Sequence, residues 1–269
     1  APKDVKDSVT QAGAAAARSS IILNAGKLRS EAIKAIVDLS KCNSCGLCAK
    51  VCPYGAIKVN IKAKTGAQIT AAACAGCGAC AAECRFDAIA MQHFSDAQIM
   101  AQIDAALENE PEEKIISFLC NWCSYAGGDL AGVSRLQYPP NNRFIRTMCS
   151  GRVAEKFILH AFEKGAPIVL LAGCHINDCH YINANHWTKR RAERLWARME
   201  KLGIKPERLQ LEWISAAEGP RFAHIMRQLE EMRQKVTAEE IEHTKKVLKE
   251  QRLAKKKEEQ KEKVTEPYI

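Results

Sequence analysis

The sequence predicts a protein that is α/β overall, in which a small α+β module precedes a parallel-sheet α/β domain of the flavodoxin or Rossmann type. Two observations support this prediction: a cysteine motif is duplicated within residues 37–94, and apolar runs alternate with helical patterns over residues 112–236. Such alternation is typical of a parallel sheet covered by helices on both faces. A chain of 269 residues, 47% of them apolar, is long enough for about two domains.

Three other segments complete the predicted organisation. Residues 1–36 contain an alanine-rich helix and a second amphipathic piece without a strand beside them, as at the end of a larger domain. Residues 95–111 form a linker helix that ends at a proline. Residues 237–269 form a charged helical tail, in which nine basic and four acidic residues lie between positions 244 and 264. We expect this tail to be solvated, with docking onto an acidic partner as the alternative.

The duplicated motif has the spacing C-x2-C-x2-C-x3-C, and its second copy follows 32 positions after the first. Three closely spaced thiolates wrap one iron–sulfur cubane, and the fourth ligates the neighbouring cubane. The first [4Fe–4S] cluster is therefore predicted to be held by Cys42, Cys45, Cys48 and Cys84. The second is predicted to be held by Cys74, Cys77, Cys80 and Cys52. Structural zinc is the alternative, but zinc sites usually join two separated C-x2-C pairs.

Four apolar runs within residues 112–236 are the candidate strands, namely residues 115–119, 144–148, 168–172 and 209–214. Helical patterns follow them most clearly at residues 152–164, 188–202 and 220–233. The middle helix has one apolar face and one basic face. We expect its basic face to be solvated; it carries Lys189, Arg190, Arg191, Arg194, Arg198 and Lys201.

The remaining five cysteines lie at or near the predicted strand ends: Cys120, Cys123, Cys149, Cys174 and Cys179. Parallel strands end at one edge of a sheet, where ligand sites collect. Four thiolates suit a [2Fe–2S] cluster or a tetrahedral zinc ion, so we predict that four of the five hold a metal centre and one is spare. His175 and His180 are expected to form hydrogen bonds around this site and not to be ligands.

Several motifs around these cysteines resemble those of known iron–sulfur proteins. They are Cys120-Asn-Trp-Cys123, Met148-Cys149-Ser150-Gly151-Arg152, Gly173-Cys174-His175-x3-Cys179-His180-Tyr181 and Glu212-Trp213-Ile214-Ser215-Ala216. Residues 112–236 resemble the delta subunit of methyl-viologen-reducing hydrogenase. Residues 1–92 resemble the C-terminal part of the heterodisulfide reductase flavoprotein HdrA, with residues 1–36 as the last helical segment of its flavin domain. The resemblance implies two [4Fe–4S] clusters in a ferredoxin-like domain at residues 37–94, and one [2Fe–2S] cluster in the α/β domain.

The resemblance also implies a function. The chain would be an iron–sulfur electron-transfer subunit of a heterodisulfide-reductase-like complex, of a kind that can bifurcate electrons at a flavin. Its partners would be an HdrA-type flavin chain, chains like HdrB and HdrC, ferredoxin, and a hydrogenase or formate dehydrogenase. The glycine motif for FAD is missing, so FAD is expected mainly on a partner chain, with Lys3, Asp4 and Val5 as candidate contacts. No nucleophile–base pair is evident, so substrate catalysis is expected in other subunits.

Two alternatives remain at this point. The same role could serve a quinone-interacting oxidoreductase or a class II benzoyl-CoA reductase complex, or the net charge of +9 could indicate a redox-sensing protein that binds nucleic acid. No aromatic residues lie among the lysines of the tail, so we expect no nucleic-acid binding. We expect no membrane span, because no run of about 18 apolar residues occurs. The lack of an N-terminal signal segment and the need for reduced thiolates predict a cytoplasmic protein.

Overall fold

The computed structural model describes residues 4–26 and 32–265, with side chains described up to residue 254, and the chain divides into two compact units. The first unit contains helix α1 (Val5–Asn24). This helix begins at Asp4, whose carboxylate accepts a hydrogen bond of 2.7 Å from the backbone N–H of Asp7. All residues of α1 are exposed. Of the candidate FAD contacts, Asp4 and Val5 start this helix, and Lys3 lies outside the described residues.

The second unit begins with a small module built on the duplicated motif. Its elements are β1 (Ala35–Val37), α2 (Leu47–Val51), β2 (Ile57–Val59), β3 (Ala67–Ile69), α3 (Ala79–Ala82) and β4 (Ile89–Met91). Strand β1 pairs antiparallel with β4, and β2 pairs antiparallel with β3. Because β3 and β4 follow β1 and β2 by the same 32 positions as the cysteines, each small sheet takes one strand from each copy of the repeat. The predicted boundary between residues 36 and 37 falls inside β1.

A parallel sheet forms the centre of the larger domain. The elements are α4 (Asp96–Ala106), β5 (Ile115–Cys120), α5 (Ser124–Val133), β6 (Asn142–Thr147), α6 (Glu155–Glu163), β7 (Val169–Gly173), α7 (Ala184–Lys201), β8 (Leu209–Trp213), α8 (Gly219–Arg233) and α9 (Ala238–Thr265). The strand order is β6-β5-β7-β8, and all neighbours are parallel. The predicted fold class and the four predicted strands are confirmed. Among the helices that the structure describes, none combines the length and apolar character needed to cross a membrane.

Helices cover both faces of this sheet because apolar side chains point alternately to each face along its central strands. Ile116 and Phe118 of β5 pack on the face covered by α4, α6 and α7. Ile115 and Leu119 pack on the other face, against α5 and α8. Every residue of β5 and β7 is buried, as expected for strands covered on both sides. Burying one phenylalanine in this way contributes about 1.5–3 kcal/mol to stability.

Two segments that the sequence predicts as connections belong to the larger core. Helix α4, expected as a linker, buries Ile99 against the domain. Helix α9, expected as a solvated tail, buries Ile241 and Leu248, and the guanidinium of Arg208 donates a hydrogen bond of 3.2 Å to the Glu240 carbonyl. The apolar residues of α9 are few and separated by many charges, so the sequence pattern conceals this packing.

Candidate metal centres

The four cysteines predicted to share the first cubane line one pocket of about 340 Å³. Cys42, Cys45 and Cys48 come from the loop before α2 and from its first turn, and Cys84 comes from the second copy of the motif. The backbone N–H of Ala88 donates a hydrogen bond of 3.3 Å to the Cys84 sulfur. The pocket therefore draws three sulfurs from one copy of the repeat and one from the other.

A second pocket of about 340 Å³ repeats this arrangement in reverse. Cys74, Cys77 and Cys80 line it from the second copy, and Cys52 reaches it from the first. The exchange of the fourth cysteine matches the exchange of strands between the two small sheets. Both pockets thus contain the sets of four cysteines that the motif spacing predicts.

The buried thiols of both pockets need a positive charge nearby to become ligands. Burial raises the pKa of Cys48 and of Cys77 to about 11 each, and it also raises the pKa of Cys80. Such thiols stay protonated near neutral pH unless a cation compensates the thiolate charge. Bound iron supplies that compensation, because a coordinating thiol is deprotonated by the metal. The donor set therefore fits iron–sulfur clusters.

The five remaining cysteines converge at the carboxyl edge of the larger sheet. Cys120 is the last residue of β5, Cys174 directly follows β7, and Cys149 follows β6 by two residues. Strands β5 and β7 are neighbours, but the chain leaves them toward opposite sides of the sheet. The site therefore lies where the strand order reverses, which is the usual position of ligand sites in open parallel sheets.

The five sulfurs form one continuous series of contacts. Cys179 hydrogen-bonds with Cys149, and Cys149 hydrogen-bonds with Cys120. The Cys120 sulfur lies 3.8 Å from that of Cys174, which is joined to Cys123 as a disulfide. Disulfide formation and metal ligation are alternative states of the last two sulfurs, because a ligand must be a thiolate.

Three of these residues have the spacing of metal ligands within the described part of the chain. The sulfurs of Cys120, Cys123 and Cys174 all lie within 4.8 Å of one another. Neither neighbouring histidine belongs to this group: His175 pairs with Glu218 at 2.7 Å, and His180 stacks on Trp122 with ring centroids 3.9 Å apart. The donor set of three clustered thiols with two more in contact fits a metal centre with cysteine ligands.

Backbone N–H groups also face this site. The sulfur of Cys179 accepts hydrogen bonds from the N–H groups of Tyr181, Ala184 and Asn185, where α7 begins. The hydrogen bond from Cys149 is the largest cause that lowers the pKa of Cys179 to about 6, and these N–H groups add to it. Burial opposes this shift but is the smaller effect. Without metal, Cys179 is thus a thiolate at neutral pH.

This pKa gives a pH prediction for the iron-free protein. Alkylation of Cys179 by iodoacetamide is expected to rise with pH around a midpoint near 6, because the thiolate reacts and forms as the pH rises through the pKa. Cys149→Ala removes the main cause and should move the midpoint up toward about 8.5, the ordinary value for cysteine. Peptide mapping by mass spectrometry measures both midpoints. An unchanged midpoint in the variant would contradict the role given to Cys149.

The second four-cysteine pocket adjoins the five-cysteine site. Cys77 and Cys179 belong to one apolar cluster, together with Cys149, Tyr54 and Tyr181. Tyr181 is 4% exposed, and its hydroxyl accepts a hydrogen bond of 3.0 Å from the Trp122 indole. No sequence pattern indicates this contact, because the two motifs are about 70 residues or more apart and belong to different modules.

Sequence reasoning missed several residues that shape these sites. Ser124 accepts a hydrogen bond of 2.8 Å from the Cys120 N–H and donates one of 2.9 Å to the Ala172 carbonyl, which ties β5 to β7 beside the cysteines. Arg191, expected on a solvated face of α7, is only 4% exposed and pairs with the buried Glu83. Its buried position breaks the basic pattern, and the only available signal was its position one residue before the core residue Ala192.

Comparison with known proteins adds to this geometry. Residues 115–238 match the sequence pattern of the methyl-viologen-reducing hydrogenase delta subunit, and residues 35–58 and 71–87 each match a 4Fe-4S binding domain. The chain is 44% identical over 236 residues to the A chain of the ferredoxin:CoB-CoM heterodisulfide reductase of Methanosarcina mazei, which covers 86% of this chain and 29% of that protein. The chain therefore spans less than a third of that relative's length.

Two shorter relatives are covered over most of their length. The D-type iron-sulfur subunit of the vhc F420-non-reducing hydrogenase of Methanococcus voltae is 52% identical over 115 residues, which are 43% of this chain and 80% of that protein. The corresponding F420-non-reducing hydrogenase protein of Archaeoglobus profundus is 45% identical over 120 residues, which are 45% of this chain and 88% of that protein. The α/β domain and the relatives that it matches thus show that the chain belongs to the family of the methyl-viologen-reducing hydrogenase delta subunit.

Proposed function

We propose that this chain is an iron–sulfur electron-transfer subunit with three metal centres in succession. The observation that carries the proposal is the contact between modules, in which Cys77 of the second four-cysteine pocket and Cys179 of the five-cysteine site share one apolar cluster. When bound, iron–sulfur clusters supply one-electron carriers. The chain's residues hold them, set the surrounding charge and exclude water.

The proposed ligands follow the pockets. Cys42, Cys45, Cys48 and Cys84 hold the first [4Fe–4S] cluster, and Cys52, Cys74, Cys77 and Cys80 hold the second. At the sheet edge, Cys120, Cys123 and Cys174 and one further cysteine hold a [2Fe–2S] cluster. Support for this last cluster comes from the all-cysteine donor set, although zinc also accepts four thiolates.

The partners are proposed from the names of the relatives. The chain resembles a heterodisulfide reductase flavoprotein of the HdrA type and the iron–sulfur subunits of F420-non-reducing hydrogenases, and it joins both kinds of sequence in one polypeptide. We therefore place it in a cytoplasmic heterodisulfide-reductase-like complex. There it would receive electrons from a hydrogenase or formate dehydrogenase and deliver them toward a flavin, ferredoxin or heterodisulfide site, and it would work beside chains like HdrB and HdrC.

The flavin is proposed to lie mainly on a partner chain. Helix α1 exposes large apolar side chains, including Val5, Val9 and Ile21, at 67–80% of their surface. Exposed apolar side chains on one helix indicate a contact surface. A partner's flavin domain is the proposed occupant of this surface.

Metal and sulfide analysis tests the function. Anaerobically prepared protein is expected to contain about ten iron atoms per chain, with about ten acid-labile sulfides, from two cubanes and one binuclear cluster. Electron paramagnetic resonance (EPR) of the reduced protein should show more than one interacting iron–sulfur signal. Zinc without sulfide, or a protein that gains no iron on reconstitution, would contradict the proposal.

A further inference from the structure

A buried ion pair connects the second four-cysteine loop to the five-cysteine site. Arg191 of α7 donates a hydrogen bond from Nη1 to the carboxylate of Glu83. The side chains of Arg191 and Glu83 are only 4% and 6% exposed. Arg194 adds a second contact of 3.3 Å to the same carboxylate. Glu83 lies between Cys80 and Cys84, so the pair grips the motif that supplies three ligands of one pocket and one of the other.

The same guanidinium also holds the loop that follows Cys149. It donates from Nη2 to the Gly151 carbonyl at 2.7 Å and from Nε to the Val153 carbonyl at 3.1 Å. These carbonyls flank the short 3-10 turn at Ser150–Arg152. One planar group with fixed donor directions therefore joins the loops of two metal sites, a geometry that lysine cannot reproduce.

A second arginine strengthens this contact from the other side of the turn. The aliphatic part of Arg152 packs against Gly78, where an added Cβ would lie 2.5 Å from the Arg152 Cδ. The Arg152 guanidinium donates to the Phe94 carbonyl at 3.0 and 3.1 Å and pairs with Asp96. The two cysteine loops thus touch through side chains that are packed and hydrogen-bonded.

Stability alone does not account for a charged pair at this position. Replacing a buried ion pair by apolar residues of similar size is often neutral or stabilising, because both charges lose their hydration. The pair does offer fixed geometry, and it places a positive charge close to Cys149, whose thiolate interacts with Arg191. Partners that surround metal ligands commonly orient the ligands and tune the metal.

We propose that Glu83 and Arg191 are positioning residues that fix the separation and mutual orientation of the second [4Fe–4S] site and the sheet-edge site. This inference rests on the proposed function, because it concerns electron exchange between these two centres. The pair keeps the loop of Cys80 and Cys84 and the loop of Cys149 at one distance. It acts through the loops and does not itself bind a cluster.

The test uses the full chain with its clusters and compares three variants. Glu83→Gln/Arg191→Met removes both charges together, so no buried charge is left unpaired, and Arg191→Lys keeps the charge without the forked geometry. Glu155→Gln is the matched control, because it breaks the pair with Arg198, which lies two turns beyond Arg191 on α7 and does not reach the cysteine loops. EPR of the reduced proteins measures the spin coupling between the two centres, and redox titration measures their potentials.

Full iron content with loss of the coupling is expected for Glu83→Gln/Arg191→Met, and a weakened coupling is expected for Arg191→Lys. The control should match the parent protein. Unchanged coupling and potentials in the double variant would overturn the inference, and so would loss of iron from that variant, because the pair would then serve cluster assembly. Failure of the proposed function is a different result, since the parent protein itself would then lack iron and sulfide.

Discussion

Replacing Gly76 with alanine is expected to eliminate the second [4Fe–4S] cluster and leave the first in place. Gly76 has a φ of +79°, and a Cβ there would lie 2.5 Å from the backbone carbonyl oxygen of Ile33. Left-handed backbone costs an ordinary residue about 1–2 kcal/mol. The clash is the larger effect, because a backbone carbonyl cannot rotate away as a side chain can. The loop that presents Cys74 and Cys77 must then move, and its sulfurs no longer converge.

The repeat supplies a natural comparison for this prediction. Ser44 occupies the equivalent position in the first copy and also has positive φ, at 53°. A side chain is therefore tolerated in this conformation where space allows, and it even accepts a hydrogen bond of 2.9 Å from the Gly66 N–H. The contact with Ile33, more than the backbone conformation, makes glycine necessary at position 76.

Iron and sulfide analysis checks the result, which should be a loss of about four irons per chain. Gly55→Ala is the matched control: Gly55 has a φ of +61°, but nothing lies within 4 Å of an added Cβ. This control should keep its full iron content and lose only a little stability. Equal iron content in Gly76→Ala and Gly55→Ala would show that the Ile33 contact does not constrain the loop.

Single serine substitutions at the sheet edge are expected to divide the five cysteines into two groups. Cys120, Cys123 and Cys174 form the compact group of sulfurs, so substituting any one of them should abolish the [2Fe–2S] signal. Cys149 and Cys179 lie along the series of contacts beyond Cys120, and only one of them is needed as the fourth ligand. One of these two variants should therefore keep the signal.

Visible absorption and EPR of the reduced variants measure this outcome, with the two cubanes as an internal control. The cubane signals should persist in all five variants, because the four-cysteine pockets contain none of the five residues. Loss of the [2Fe–2S] signal in all five variants would contradict the count of four ligands. A retained signal in Cys120→Ser would contradict the grouping.

Local patterns made much of this architecture predictable, and long-range contacts made the rest inaccessible. The spacing of Cys42 to Cys52 encodes a loop that closes on itself within a few residues, so its chemistry is visible in the sequence. The apolar run of β5 is equally local. Glu83 and Arg191 are 108 positions apart, and each looks like an ordinary charged surface residue until the two modules pack together.

The site at the sheet edge shows how a similar pattern can point to the correct position but not to the full arrangement. Strand ends predicted that Cys120, Cys149 and Cys174 would meet, and they do. The disulfide between Cys123 and Cys174 was not expected, because two cysteines in different loops pair only when the backbone brings them close, here to 5.3 Å between Cα atoms. Whether such residues are near neighbours depends on the registry of β5 and β7.

The position of Cys120 and Cys174 has a consequence for nucleotide cofactors. In open parallel sheets, the crevice at the strand reversal usually receives a phosphate group, and helix N-termini there neutralise its charge. In this domain the sulfur atoms of the chain itself take that place, and Cys179 receives the N–H groups that a phosphate would otherwise accept. A dinucleotide would have to displace the cysteines to bind, so this scaffold has exchanged an exogenous anion for internal ones.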